Sequence, residues 1–401
     1  MPMPSVQLGV DRLLGDHGLV AGERWGLITN YTGVTSDLEL SSVALRRSGA
    51  PLAALLSPEH GLQGTAQAGE SEASGSDPRT GLPVLDTYML ADEALDAAIR
   101  ELDVDALVVD IQDIGVRCYT YVWTMVDCLR SAARLGIPFH VLDRPNPLGG
   151  RTVSGPGVEP GFESFVGRLD VPMRHGMTIG EMARVAAQLD RAGGHDVPDP
   201  NVVEMRGWSR SMLWADTGLE WIMPSPNMPT PITALAYVGT ALFEGTSLSE
   251  GRGTTRPFEL VGAPWIDDRY VDELNRRELA GVHFRSTSFM PTFSKWRGEA
   301  IGGVQLHLRD ARSFDPLVTA TTMLVVAQQM FPDDFAWSEP MWENGVARPH
   351  FVDLLWGGGE LRGLVETADL EAIVRELERA SALRDRDSEW LLYGDEDGHG
   401  R

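Results

Sequence analysis

Two textures alternate along the first part of the chain. Short, predominantly apolar runs at residues 25–29, 52–56, 106–111 and 139–142 are separated by stretches whose apolar positions recur at helical spacing. Runs this short, bounded by turn formers, predict strands buried on both faces, since half-buried strands would alternate apolar and polar positions. Ahead of the last run, Val122, Val126, Leu129 and Ala133 mark one face of a helix, which Gly136 and then Pro138 bring to an end. Further helices are predicted at 38–47 and 92–102. Strand and helix in alternation predict an α/β domain over residues 1–155, with a parallel sheet wrapped by helices.

From about Gly155 the loops lengthen and become rich in glycine and polar residues: VGRLDVPMRHGMTIGE (166–181), WIMPSPNMPT (221–230) and LFEGTSLSEGRGTTRPFELVGAPW (242–265). Helical spacing returns at 179–192, 317–330 and 370–380. A second α/β domain over residues 156–401 is expected, with its loops facing the crevice of the first.

Bulk composition removes several function classes. Lys and Arg number 34 against 58 Asp and Glu, a net charge of −24, and no basic run offsets it. That field repels phosphate backbones and anionic lipid, so neither nucleic acid nor a membrane surface is an expected partner. No apolar run approaches the roughly 20 residues of a membrane span. The first residues, MPMPSVQLGVDRLL, lack the features of a signal peptide, and a cytoplasmic location is expected. Cys118 and Cys128 are the only cysteines, too few for a disulfide framework and outside any metal-binding spacing.

Each predicted strand runs into a polar loop: NYTG (30–33), SPEHGLQG (57–64), DIQDIGVRCYTY (110–121) and DRPNPLGG (143–150). In an open α/β sheet the carboxyl ends of the strands border the crevice where ligands bind. Turn chemistry accounts for the Asn, Asp, Gly and Pro in these loops. It gives no reason for Glu59, His60, Arg117, Tyr119, Tyr121 and Arg144 to share one edge, and that edge is therefore read as a site.

Dinucleotide chemistry is disfavoured because no GxGxxG follows the first strand, and no GxxxxGK[ST] marks a phosphate loop. GTSLSEG fails the spacing of a serine nucleophile elbow. A metal-dependent hydrolase or deacetylase of amino sugars is a stronger rival, since Asp110, Asp113, Glu59, His60 and His175 are suitable ligand types, although HExxH is absent. Glycoside hydrolysis needs two carboxyl groups flanking the scissile bond, with little constraint on their sequence spacing. Glu59 is the leading acid, because it ends a strand and precedes Gly61, where backbone can approach a ligand closely. Asp113, Glu244 and Glu250 compete for the second role. A non-catalytic muropeptide-binding protein is the non-enzyme alternative.

In order along almost the whole chain, PEHGLQG, DIQDIGVRCYTY, VLDRPNPLGG, SFVGRLDVPMRHGMTIGE, WIMPSPNMPT and LFEGTSLSEGRGTTRPFELVGAPW resemble the exo-β-N-acetylmuramidases of glycoside hydrolase family 171, long catalogued as a domain of unknown function. The resemblance implies removal of terminal N-acetylmuramic acid from the non-reducing end of peptidoglycan fragments, without a cofactor or metal. It implies a Rossmann-like domain followed by a second α/β domain, with the active site in the cleft between them. Glu59, in PEHG, is implied as the leading catalytic residue, with Asp113, Tyr121 and Glu250 as further catalytic candidates. His60, Arg117, Tyr119, Arg144, Asn146, His175, Asn227, Glu244, Ser249 and Arg252 are carried over as substrate-binding candidates. Export signals, frequent in relatives that act outside the cell, are not evident, which turns the expectation toward recycling of imported wall fragments. Ser247 stands where the family motif commonly has Asn.

The substrate so implied is a small anionic sugar. Its lactyl carboxylate calls for an arginine fork, which lysine cannot reproduce. Arg117, Arg144, Arg174 and Arg252 all lie in the motif loops, and one or two of them are expected to touch substrate. Trp221 and Trp265 flank motif loops, either to stack on a sugar face or to pack within the protein.

Overall fold

The computed structural model describes residues 6–340, 342–343, 346–379 and 388–395. Over its described residues the chain forms two compact units. Unit 1 comprises Met1–Thr152, His175–Pro226 and Asp387–Arg401; unit 2 comprises Val153–Arg174 and Asn227–Arg386. The chain thus leaves unit 1 at Thr152, close to the expected boundary at 155, and re-enters it at His175 to add a helix and an edge strand.

Unit 1 is built on β1 (Trp25–Thr29), β2 (Leu52–Ser57), β3 (Gly75–Ser76), β4 (Pro83–Asp86), β5 (Ala106–Asp110), β6 (Phe139–Leu142) and β7 (Asn201–Val203). They form one sheet in the order β3-β4-β2-β1-β5-β6-β7. All pairings are parallel except β3 with β4. Its helices are α1 (Gly9–Gly15), α2 (Ser41–Arg47), α3 (Asp92–Glu101), α4 (Tyr121–Leu135) and α5 (Ile179–Ala192). Every residue of β1, β5 and β6 is buried, which is why their sequences are mostly apolar, with Thr29, Asp110 and His140 as the polar members. The four predicted strands and three predicted helices are present, and Gly136, in the left-handed region at φ 69°, ends α4 as its sequence announced. Strand order reverses about β1, so a topological switch point lies between β1 and β5, the arrangement of the Rossmann sheet.

Two buried carboxylates lock the carboxyl edge. Asp110, the last residue of β5, takes a two-pronged hydrogen bond from Arg144, Nε to Oδ1 at 2.7 Å and Nη2 to Oδ2 at 2.9 Å; the same Nη2 donates to the Val34 carbonyl at 2.7 Å. One guanidinium therefore ties together the exits of β1, β5 and β6. Asp143, following β6, accepts from the Arg144 and Gly180 backbone N–H groups at 3.0 and 2.8 Å, the Thr178 hydroxyl at 2.8 Å and the Tyr393 hydroxyl at 2.6 Å. Thr178 also caps α5 in a reciprocal box with Glu181, so this carboxylate anchors both α5 and the C-terminal segment of the unit.

Unit 2 contains an antiparallel three-stranded sheet in the order β8-β10-β9, from β8 (Leu260–Ala263), β9 (Val282–Phe289) and β10 (Ile301–Leu308). Its described helices include α6 (Pro231–Thr240), α7 (Asp268–Arg276) and α8 (Pro316–Met330). Thr230 and Asp315 cap α6 and α8, each followed by proline at the first helical position, where a missing N–H costs nothing. Helix 370–380 is observed as Leu370–Arg379, and Ala380 lies outside the described residues.

Arg144→Met should destabilise the protein by about 3–5 kcal/mol, because it strands Asp110 as a buried, uncompensated charge; denaturant unfolding followed by tryptophan fluorescence measures this. A loss under about 1 kcal/mol would mean that the fork is not a structural clamp.

Burial pushes the Asp143 carboxyl up to about 7, against hydrogen bonds from Tyr393, Gly180 and Thr178 that pull it down. The folded state thus holds this proton more tightly than the unfolded chain does. The stability it contributes is complete below about pH 4, declines as pH rises, and is gone above about pH 7. Unfolding free energies of the wild type and Asp143→Asn, compared across that range, should differ most in wild type's favour at the acid end. A difference that stays constant with pH would show that Asp143 titrates alike in both states.

Candidate active site

The loop after β2 carries Glu59 and is shaped by a second carboxylate. Glu72 accepts from the backbone N–H groups of Gln63 at 2.9 Å and Thr65 at 3.2 Å, and from the Thr65 hydroxyl at 2.7 Å. Gly61 lies at φ 80°, and a Cβ there would sit 2.3 Å from the Glu72 Cγ, so the tight turn requires glycine. His60 also adopts a left-handed backbone, at φ 71°. Its Nδ1 lies 3.0 Å from the Ala66 carbonyl, which can only accept, so Nδ1 carries the hydrogen and Nε2 is left as the acceptor.

Glu59 itself is buried at 6 % exposure, with both carboxyl oxygens engaged. Oε1 accepts from the Gly69 N–H at 2.6 Å, and Oε2 accepts from the Thr120 hydroxyl at 2.5 Å. Thr120 immediately precedes α4, so the carboxylate stands at that helix's N-terminal end, where the aligned backbone dipoles favour negative charge. Two tyrosines lie close enough to feel its charge. Tyr88 is pushed up to about 12 by burial and by the charges of Glu59 and Asp86. Tyr121 lies well above its ordinary value, through burial first and then Tyr119, Tyr31 and Glu59. Both phenols stay protonated at neutral pH. The Tyr121 hydroxyl donates to the Pro224 carbonyl at 2.5 Å, and its ring meets those of Tyr119 and His60 edge-on, with centroids 4.9 and 6.3 Å away.

The loop after β5 brings Asp113 to His175. Asp113 Oδ2 accepts from the Gly115 N–H at 2.7 Å and lies 3.5 Å from His175 Nε2. His175 Nδ1 accepts from the Met177 N–H at 3.2 Å, so the neutral ring carries its hydrogen on Nε2, facing Asp113. Both side chains are buried, yet Asp113 Oδ1 and His175 Nε2 have no hydrogen-bond partner among the described residues.

Asn146 is committed to scaffolding. Its Nδ2 donates to the Met177 carbonyl at 3.0 Å, its Oδ1 accepts from the Leu148 N–H at 2.9 Å, and it fills the space a Cβ on Gly115 would need. Arg117 is wholly buried, and its carbonyl receives the Trp123 indole N–H at 2.8 Å. Arg144 is held by Asp110, as described above.

Unit 2 carries its own charged cluster. Arg252 sits between two glutamates, with Nη2 3.1 Å from Glu244 and Nε 3.5 Å from Glu250, and its guanidinium lies 4.9 Å from the centre of the Phe258 ring. Lys295, absent from the sequence-based candidates, donates to Glu250 at 3.0 Å and to the Phe243 and Leu248 carbonyls at 2.7 and 2.9 Å. Burial raises the Glu244 carboxyl, opposed by Arg252 and reinforced by Glu250. The Ser249 hydroxyl accepts from the Gly251 N–H at 3.1 Å, and Asn227 is buried. Arg174 is buried too, and burial lowers it to about 10 while Asp315 acts against that shift. Trp265 packs on Phe331 in unit 2 and Trp221 on Trp214 in unit 1.

The expected residues of the first half therefore fall into three groups: Glu59 with Tyr121, Tyr119 and His60; Asp113 with His175; and the scaffold residues Arg144 and Asn146. Sequence reasoning missed Thr120 and the Gly69 N–H, which hold Glu59. The signal for Thr120 was its place at the start of the helix inside DIQDIGVRCYTY. Both oxygens of Asp110 serve Arg144, and no group of three or more His, Cys, Asp or Glu side chains is placed to hold a metal ion among the described residues. No helix among them is long and apolar enough to cross a membrane.

Comparison with known proteins follows the same lines. Residues 25–232 match the family profile described as exo-β-N-acetylmuramidase NamZ, N-terminal, and residues 235–393 match the corresponding C-terminal profile. The chain is 44 % identical over 335 residues, 83 % of its own length and 80 % of the relative's, to the peptidoglycan β-N-acetylmuramidase NamZ of Bacillus subtilis (strain 168). Two crystal structures of DUF1343 family proteins from Bacteroides fragilis NCTC 9343 are also similar. One has TM-score 0.81 at 32 % identity, covering 98 % of this chain and 100 % of that one; the other has TM-score 0.72 at 26 % identity, covering 98 % and 99 %. The polar edge of the parallel sheet, the ordered motif loops and these matches agree: the chain belongs to the exo-β-N-acetylmuramidase NamZ family.

Proposed function

We propose that this protein is an exo-acting glycosidase that releases terminal N-acetylmuramic acid from the non-reducing end of peptidoglycan fragments. The observation that carries the reading is the 44 % identity, over most of both chains, to a relative named for that activity. The carboxyl edge of unit 1 supplies matching chemistry. Glu59, oriented through both oxygens, protonates the departing glycosidic oxygen; as the bond from the anomeric carbon breaks, its electron pair stays on that oxygen, and a water oxygen then bonds to the anomeric carbon while the water's proton passes to a carboxylate of the site. Asp113, buried with one unpaired oxygen beside His175, supports the positive charge that develops on the sugar ring. His60, Tyr119 and Tyr121 shape the wall beside Glu59.

In unit 2 we propose Glu250 as a second catalytic carboxylate, with Glu244, Ser249, Arg252 and Asn227 as substrate-binding residues. The support is a pair of buried glutamates held by one arginine, with Lys295 fixing Glu250. A metal-dependent reading loses the support of Asp110, which the Arg144 fork occupies.

Glu59→Gln should lower release of the chromophore from a chromogenic N-acetylmuramide by at least about 100-fold, with an unchanged melting temperature. Full turnover in this variant would take Glu59 out of the mechanism. Arg252→Met should weaken kcat/KM for a muramide by roughly 10-fold or more, with a much smaller loss on the matching N-acetylglucosaminide, if this guanidinium reads the lactyl carboxylate. Equal losses on the two would assign Arg252 to holding Glu244 and Glu250 alone.

A further inference from the structure

The hydroxyl of Thr120 does something unusual for its position. Serine and threonine at the head of a helix ordinarily accept a hydrogen bond from a first-turn N–H. Thr120 heads α4, a helix of 15 residues, but its side chain makes no such cap. Its one recorded side-chain hydrogen bond is the 2.5 Å contact with Glu59 Oε2, across 61 residues of chain. On the other side of the carboxyl, Oε1 faces the Gly69 N–H at 2.6 Å. These neighbours differ in kind. A backbone N–H can only donate, whereas a hydroxyl donates or accepts by rotating about its C–O bond.

We propose that Thr120 is a positioning residue that carries Glu59 through both of its protonation states and confines the acid proton to Oε2. This rests on the reading of Glu59 as the catalytic acid. When Glu59 is ionised, Thr120 donates to Oε2 and Gly69 to Oε1. When Glu59 is protonated, the hydrogen is disfavoured on Oε1, where one lone pair is already taken by the Gly69 N–H at 2.6 Å and that bond lowers the oxygen's basicity. It resides on Oε2 and is donated to the Thr120 oxygen, whose own hydrogen turns away. The carboxyl plane therefore stays fixed while the proton comes and goes, and the oxygen that delivers the proton is always the one on the Thr120 side.

The other ionisable groups around the carboxyl are Tyr88, Tyr121, His60, Glu70, Glu72 and Asp86. Tyr88 and Tyr121 are held protonated. Glu72 is tied to the Gln63 and Thr65 donors, and Asp86 accepts from the Ser71 hydroxyl and the Tyr88 N–H. Glu70 lies with its carboxylate toward the Gln67 N–H, and His60 is held against the Ala66 carbonyl. None of these replaces a donor that is lost from Oε2.

The test is Thr120→Val, which keeps the shape and removes the hydroxyl, alongside Thr120→Ser and Glu59→Gln, assayed on a chromogenic N-acetylmuramide across pH. Thr120→Val should lower kcat roughly 10- to 100-fold with KM within about twofold, and move the alkaline limb of the kcat/KM profile, where the acid loses its proton, upward by about one pH unit. Thr120→Ser should restore both to within about threefold. Because the hydroxyl caps nothing, the melting temperature of Thr120→Val should stay near that of wild type. Wild-type kcat and an unmoved pH profile in Thr120→Val would overturn the inference, as would a Ser variant as impaired as the Val variant. If Thr120→Val does not fold, the Ser variant's rate and profile, which must match wild type, decide the matter. An active Glu59→Gln would instead remove the underlying assignment of Glu59, so the two failures are told apart.

Discussion

The buried fork from Arg144 to Asp110 is the constraint on which the edge of unit 1 depends. Parallel strands must all deliver their loops to the same edge, and that edge collects backbone groups and polar side chains that have left the ladder. Asp110 alone there would be a buried charge in search of a partner. Arg144, from the next strand's exit, satisfies both of its oxygens and uses a remaining donor on the Val34 carbonyl after β1. Three loops are thereby fixed by one planar group, which is geometry that lysine cannot supply. Asp113, three residues beyond Asp110, and Asn146, two beyond Arg144, inherit their positions from it.

The central sheet was legible because burial on both faces writes itself into the sequence as predominantly apolar runs. β1 and β6 match their predicted ends, and β2 and β5 differ by one residue. The edge strands were not legible. β3 is two exposed residues, and β7 is three residues, one exposed, one half-buried and one buried, so neither carries an apolar run. The sheet of unit 2 was missed for a related reason: on β9, exposed and buried positions mix without a clean period, and its partner β10 contains two adjacent glycines. The return of residues 175–226 to unit 1 leaves no local mark either, since it is decided by which surface the apolar face of α5 covers.

At the site, residue types were legible and their commitments were not. Arginine in a motif loop reads as a ligand for an anion, yet Arg144 is consumed by Asp110, and Arg252 is shared between Glu244 and Glu250. Conversely, Thr120 was marked only by its place in a motif at a helix start and Lys295 by nothing, because a hydroxyl at a helix start and a lysine in a loop are ordinary surface features. What sets them apart is a partner 61 residues away for Thr120 and 45 residues away for Lys295. Spacing along the chain does not report contacts of that span.

The two charged clusters differ in a way that bears on how the sugar bond is broken. In unit 2 the three hydrogens of Lys295 all have acceptors and Arg252 balances two glutamates, so the resting cluster is nearly neutral and internally paired. The edge of unit 1 is different: Arg144 is already matched to Asp110, and among the described residues Glu59 and Asp113 are held by backbone N–H and hydroxyl donors rather than by a guanidinium or ammonium group. An uncompensated negative edge is a poor place to hold an anionic ground state. It is a good place to stabilise a ring that becomes positively charged as its bond to the leaving oxygen stretches, and an interaction stronger in the transition state than in the bound substrate is the kind that raises kcat. On the proposed reading, Asp113 supplies that stabilisation and Glu59 adds to it once its proton has passed to the leaving oxygen, and recognition of the lactyl carboxylate falls to cationic groups other than Arg144.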